Sequence, residues 1–258
     1  MFVVNGRTLH VETIGNGSDL VLLHGWGLHG GIFRSVVPAL AARHRLHLVD
    51  LPGHGRSALP DEDYTLNNVA RIVAAAVPDN ASWLGWSLGG RIALAAAAQG
   101  AAIAHLILVG ANPCFTQRAD WPHAMPEAEF EQFAASVHDN WEQTLQRFLA
   151  IQARGSERAR EELRALRQDL FAHGQPQPGA LAGGLTILRE ADLRSVLSVI
   201  TQPTLVLHGA RDTLAPLPAA EYTASHLRQG KLQVIPGAGH APFLSHPAEF
   251  LAALEAFL

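Results

Sequence analysis

The stretch Ser82-Trp83-Leu84-Gly85-Trp86-Ser87-Leu88-Gly89-Gly90-Arg91-Ile92-Ala93-Leu94 decides the fold. Its short apolar run at 82–84 reads as a buried strand, and the Ala-rich segment 88–99 that follows reads as a helix. Gly85 and Gly89 flank the turn between them, so the strand and helix backbones can cross closely. Ser87 is then left projecting from the top of a sheet at a helix N-terminus, where a developing negative charge is favoured. A glycine-flanked serine between strand and helix is the setting of a nucleophile elbow.

On either side of this unit, short apolar runs recur at 20–23, 46–49, 106–109, 204–207 and 232–235 and predict buried parallel strands. Helix-length segments at 31–42, 66–77, 218–227 and 247–258 alternate with them, the pattern of a doubly wound α/β sheet. Ahead of these, Phe2-Val3-Val4, Asn5-Gly6 and the alternating run 8–13 predict an antiparallel hairpin around a tight turn. Between 115 and 190 the alternation stops. No convincing strand appears there, and 127–137, 141–153 and 156–171 read as helices, with the Gln-Pro-rich loop 173–179 connecting helices. The expected organisation is a core of residues 1–114 and 191–258 carrying an inserted helical lid, 115–190.

Composition narrows the function. A chain of 258 residues with 48% hydrophobic and 16% charged residues is globular and large enough for one well-buried core. Its net charge of −4 offers no general attraction to nucleic acid or to an anionic membrane. Cys114, the only cysteine, cannot form an internal disulfide, and residues 1–20 lack a signal peptide's apolar core. The expected location is the cytoplasm, and no apolar run approaches the ~20 residues of a membrane span.

A serine is a poor nucleophile near neutrality, so Ser87 demands a histidine base and an acid that orients it. There are fourteen histidines to choose from. In this topology the partners follow the nucleophile in the order acid, then histidine, on loops just beyond later strands. Asp212, beyond the run 204–207, and His240, beyond the run 232–235, satisfy both conditions. His226 falls inside a predicted helix and His246 at a helix start, so each reads as a surface or capping residue. The oxyanion of a tetrahedral intermediate needs two N–H donors. The amide of Leu88 supplies one, and the loop His24-Gly25-Trp26-Gly27 after the first parallel strand supplies the other, assigned to Trp26. His24 and Asp50 read as residues that fix loops. No His-Glu-x-x-His, cysteine pair or phosphate-binding glycine motif is present, so no metal and no cofactor are expected.

Taken together, His24-Gly25-Trp26-Gly27, Asp50 to Ser57, Gly85 to Gly90, Gly209 to Asp212 and Gly237 to His240 resemble the α/β-hydrolase superfamily. More narrowly, Leu22 to Leu28, Leu84 to Gly90, Pro113-Cys114-Phe115 and His240 to Phe250 resemble the pimeloyl-acyl-carrier-protein methyl ester esterases of biotin synthesis. Arg147 to Gln152 and Gly183 to Leu188 extend the likeness into the lid. The resemblance implies hydrolysis of a methyl ester at the far end of a pimeloyl chain borne on acyl-carrier protein, with small soluble esters also accepted. The same triad would serve a thioesterase, a lactonase or a carbon–carbon bond hydrolase, and the fold could carry a non-catalytic binding protein.

With that substrate, the acyl chain is expected between core and lid, touching Trp26, Ser87, Leu88, His240 and the segment Phe148, Leu149, Ala150, Ile151 and Gln152. Phe148 and Ile151 lie three residues apart on one helical face. The lid's second half, 143–168, holds six Arg against three acids. Arg160, Arg164 and Arg167 fall within ~60° of one another on a helix, beside a face of Leu163, Leu166 and Leu170. These arginines, with Arg147, are expected to dock the acidic carrier protein, whose encounter would be steered by charge.

Overall fold

The computed structural model describes residues 2–4 and 7–258. Nine strands are described: β1 (Phe2–Val4), β2 (Arg7–Leu9), β3 (Val11–Ile14), β4 (Ser18–Leu23), β5 (His44–Val49), β6 (Ala81–Trp86), β7 (Ile103–Val109), β8 (Thr204–Gly209) and β9 (Gly230–Ile235). The α-helices are α1 (Val37–Ala41), α2 (Leu66–Ala74), α3 (Leu88–Ala98), α4 (Glu127–Asp139), α5 (Trp141–Gln152), α6 (Ala159–Asp169), α7 (Pro178–Glu190), α8 (Leu217–His226), α9 (Pro242–Ser245) and α10 (Pro247–Glu255).

Seven strands form one sheet in the order β3-β5-β4-β6-β7-β8-β9, parallel except for β3, which runs antiparallel to β5. The α/β expectation therefore holds, with four differences of detail. The run 8–13 is split at His10 into β2, paired antiparallel with β1, and β3 on the main sheet. The break has a cause: the His10 amide donates to Ser57 Oγ and its carbonyl accepts from the Asp50 amide, so the residue is tied to a loop. The Asn5-Gly6 turn lies outside the described residues.

The segment 31–42 is not one helix but a 3-10 turn, Gly30–Ser35, followed by α1. Pro38 has no N–H to give to the preceding turn, so the α-helix starts around it. β9 lies at the sheet edge with alternate residues exposed, whereas β4 to β8 end in fully buried runs. Last, the segment after 173 carries a helix, α7, over a sequence containing Gly179, Gly183 and Gly184.

Leu20 to Leu23, Leu84, Leu106 to Val109 and Val206 to Leu207 are fully buried at the centre of the sheet. The strand ends that carry Ser87, Gly110 and His208 are thereby held on a rigid platform. No helix among the described residues is long and apolar enough to cross a membrane.

Candidate active site

Ser87 stands between β6 and α3 with φ 55° and ψ −116°, a left-handed conformation that costs a non-glycine residue of order 1–3 kcal/mol. The surroundings hold it there. Its amide donates to Val109 O at 2.9 Å, and the glycines leave no room for a side chain: a Cβ on Gly85 would press on the Gly89 peptide, and one on Gly89 on Leu23 O. Gly90 is equally constrained, against Ala111 Cβ.

His240 and Asp212 come together from the loops after β9 and β8. His240 Nδ1 donates to Asp212 Oδ2 at 2.8 Å, and both residues are buried. Asp212 Oδ1 accepts the amides of Leu214 and Ala215, each at 2.9 Å, which locks the carboxylate plane. Burial would raise the Asp212 pKa, but the facing His240 and His208 and the Ala215 amide hold it below the ordinary carboxylate range. With Nδ1–H given to Asp212, His240 Nε2 keeps its lone pair; it is buried and has no hydrogen-bond partner among the described residues. Ser87 and His240 both lie against the end of β7. A Cβ on Gly110, the residue after Val109, would lie 3.2 Å from His240 Nδ1, and Trp86 Nε1 donates to His240 O at 2.9 Å.

His208 was not singled out from the sequence. Its Nε2 donates to Ala215 O and lies 3.4 Å from Asp212 Oδ2. His226 stacks on Tyr222 in α8, as suits a surface histidine. His246 precedes α10 but makes no capping bond; it is buried against Ser245.

The loop after β4 is fastened by imidazoles. His24 donates from Nδ1 to Gly25 O and accepts the Leu51 amide at Nε2. His54 donates from Nδ1 to Pro52 O and accepts the Gly27 amide at Nε2, 3.3 Å away. Both rings are fully buried, and burial pushes their pKa values down to about 3 and about 4. They are neutral staples that fix the peptides on either side of Trp26. Asp50 plays a similar part for the next loop, accepting from the Gly30 amide and from the amide and Nε of Arg56.

Helices α4, α5 and α7 close over Trp26. Its indole donates to Leu181 O at 3.0 Å and meets Phe148 and Phe133 edge-on, with centroids 5.3 and 5.5 Å away. Gly184 is required beside it, since a Cβ there would strike the indole. Of the five expected contacts on α5, Phe148, Leu149 and Gln152 are buried and Ile151 is half-buried, while Ala150 is exposed on the outer face. Leu145, against Gly27, and Phe133 were not foreseen. Arg147, Arg160, Arg164 and Arg167 are all exposed, and the last three line one open cavity of about 470 Å³ with Leu163 and Gln168.

One group of His and Asp side chains among the described residues approaches a metal-binding arrangement. His29, Asp50 and His173 bring donor atoms within 4.8 Å of one another. Asp50 and His29 are already committed to other donors, however, while His173 Nδ1 is buried with no hydrogen-bond partner among the described residues. Asp50 accepts three hydrogen bonds, with the Arg56 guanidinium 2.9 Å away, and His29 Nδ1 accepts the Gly31 amide. A cation would have to displace these donors, so the trio fits a loop anchor better than a metal centre.

Residues 20–254 match the model of the alpha/beta hydrolase family. The chain belongs to the alpha/beta hydrolase family. Among curated relatives, a pimeloyl-[acyl-carrier protein] methyl ester esterase of Nitrosomonas europaea is 42% identical, covering 96% of this chain and 99% of its own. One of the same name from Xylella fastidiosa is 45% identical, covering 97% and 98%. An esterase of Exiguobacterium antarcticum superposes with a TM-score of 0.87 at 28% identity, over 99% of this chain and 97% of its own. The family likeness thus spans sheet and helical insertion alike.

Proposed function

We propose that this chain is a serine carboxylesterase that hydrolyses the methyl ester of pimeloyl-acyl-carrier protein in biotin synthesis, releasing methanol. The observation that carries the chemistry is the 2.8 Å bond between His240 Nδ1 and Asp212 Oδ2 beside the strained Ser87. The substrate is supported by near full-length identity of 42% and 45% to relatives of that name.

In this reading Asp212 fixes the His240 tautomer and stabilises the imidazolium that forms, so Nε2 acts as base toward Ser87 Oγ. Ser87 attacks the ester carbonyl, and the oxyanion is met by the amides of Leu88 and Trp26. Leu88 opens α3, where the first N–H groups have no partner within the helix. The Trp26 peptide is oriented by the His24 and His54 staples around it. His240 then gives its proton to the departing methanol. Water, deprotonated by the same Nε2, releases the pimeloyl product and restores Ser87. The protein's own side chains supply every proton transfer.

Helices α4 to α7, within 115–190, act as a lid on a core of 1–114 and 191–258, with the acyl chain between them against Trp26 and Phe148. The exposed arginines of α5 and α6 dock the acidic carrier protein, in the cytoplasm where carrier and enzyme meet. The test is a substrate panel on purified protein: pimeloyl-carrier-protein methyl ester, its thioester bond, short nitrophenyl esters and lactones. The methyl ester should be cleaved with the highest kcat/KM and the thioester left intact. Preferred cleavage of the thioester or of a lactone would overturn the assignment.

A further inference from the structure

Helix α6 and its C-cap residue carry a buried stripe at every fourth position: 162, 166 and 170. Leu166 and Leu170 fill two of these positions, at 0% and 3% exposure. Glu162 fills the third, and it is also at 0% exposure. Spacing calls for a leucine there, and an uncompensated buried carboxylate is costly. The neighbouring Glu161 is exposed, so the acid inside the stripe is not a consequence of helix composition.

What Glu162 meets is the loop of the proposed catalytic base. Its Oε1 accepts the amide of Ala241, the residue after His240, at 3.3 Å. Its Oε2 is buried with no partner among the described residues. The chain leading into α6 lies against the same loops. The Glu157 amide donates to Gly237 O at 3.0 Å, and Arg211, next to Asp212, pairs with Glu157 at 2.9 Å. A Cβ on Gly239 would lie 3.1 Å from Ser156 Cβ.

We propose that Glu162 is a positioning residue for His240: from helix α6 its carboxyl group holds the Ala241 amide and thereby fixes the catalytic histidine loop. The proposal rests on the reading of Ser87, His240 and Asp212 as a triad. It gives α6 two faces with different tasks, the arginines outward and one buried acid inward against the histidine loop.

The electrostatics fit this role. Burial pushes the Glu162 pKa up to about 7, with Asp212 acting in the same direction and the Ser156 hydroxyl, His240 and the Ala241 amide pulling it back. Among the other elements packed on α6, α9 has no titratable side chain, α5 leaves Glu142 and Arg147 exposed, and Arg34 of the turn Gly30–Ser35 is exposed.

The test compares Glu162→Gln and Glu162→Leu with wild type on a short nitrophenyl ester, with Ser87→Ala alongside. Glu162→Leu orphans the Ala241 amide and should lower kcat by about tenfold or more with little change in KM. Glu162→Gln keeps an acceptor and should recover most of that loss. A merely structural glutamate would change the melting temperature and leave kcat where it was in both variants. Wild-type kcat in Glu162→Leu, or no recovery in a folded Glu162→Gln, overturns the proposal. If Glu162→Leu fails to fold, Glu162→Met, of similar length and without a carboxyl oxygen, decides by the same comparison of kcat with KM. Should Ser87→Ala keep its turnover, the triad reading falls and this proposal with it; an inactive Ser87→Ala beside an unaffected Glu162 series removes Glu162 alone.

Discussion

Phe148 on α5 meets the indole of Trp26 edge-on, with ring centroids 5.3 Å apart and planes at 90°. Such pairs contribute about 0.5–1.5 kcal/mol beyond the area they bury. Phe133 completes the cluster, 5.0 Å from Phe148 and 5.5 Å from Trp26. An aromatic wall thus joins the helical insertion to the loop assigned to the oxyanion.

Trimming this wall should have two effects. Phe148 is 3% exposed, so Phe148→Ala should destabilise the fold by about 3–5 kcal/mol. If the ring also lines the acyl pocket, the order of kcat/KM among ester chain lengths should change as well. A lower melting temperature with an unchanged chain-length order would mean that Phe148 only seals the insertion against the core.

Acid should loosen the loop after β4. His54 titrates at about 4 in the fold because of burial, below the ordinary 6.5. Its neutral form contributes stability that is fully present above pH 6.5 and is lost as pH falls toward about 4, on the order of 3 kcal/mol. His54→Asn cannot take up that proton. Its stability deficit against wild type, measured by urea unfolding, should therefore shrink between pH 7 and pH 4, and a constant deficit would contradict the staple role.

How much of this was legible beforehand follows from which signals are local. The elbow, the strand runs and the order Ser87, Asp212, His240 are visible in sequence because glycine spacing and apolar runs are properties of neighbouring residues. α7 was missed because Gly179, Gly183 and Gly184 lower helix propensity; at Gly184 the reason is tertiary, since the Trp26 indole occupies the place of a Cβ. β9 read as buried because its sequence does not reveal that it ends the sheet. His208 and Glu162 carry no motif. Glu162 sits in a run of charged residues whose solvated appearance hides one inward position, detectable only as a break in the i, i+4 stripe of leucines.

The arginine face of α6 makes an electrostatic prediction. Arg160 and Arg164 are exposed beside one another, and each is screened by salt over about 8–10 Å. Charge reversal at both should raise KM for the carrier-bound ester and spare a small soluble ester, and the wild-type KM for the carrier-bound substrate should rise with salt. Equal effects on both substrates would remove the docking role.

Backbone crowding at the elbow predicts a steric failure. A methyl on Gly89 would press on Leu23 O, and neither backbone can yield without moving β4 or α3. Gly89→Ala should lower the melting temperature and abolish ester hydrolysis together; full activity at unchanged stability would refute the close crossing of strand and helix.

In the proposed reaction Ser87 attacks a methyl ester. Methanol release from pimeloyl-carrier-protein methyl ester, measured for wild type and Ser87→Ala at equal concentration, tests it most directly. Wild type should release methanol with multiple turnovers, and Ser87→Ala should fall by roughly 10⁴-fold or more, with His240→Ala added on top costing almost nothing further. Methanol release by Ser87→Ala at the wild-type rate, or none by wild type, would contradict the account.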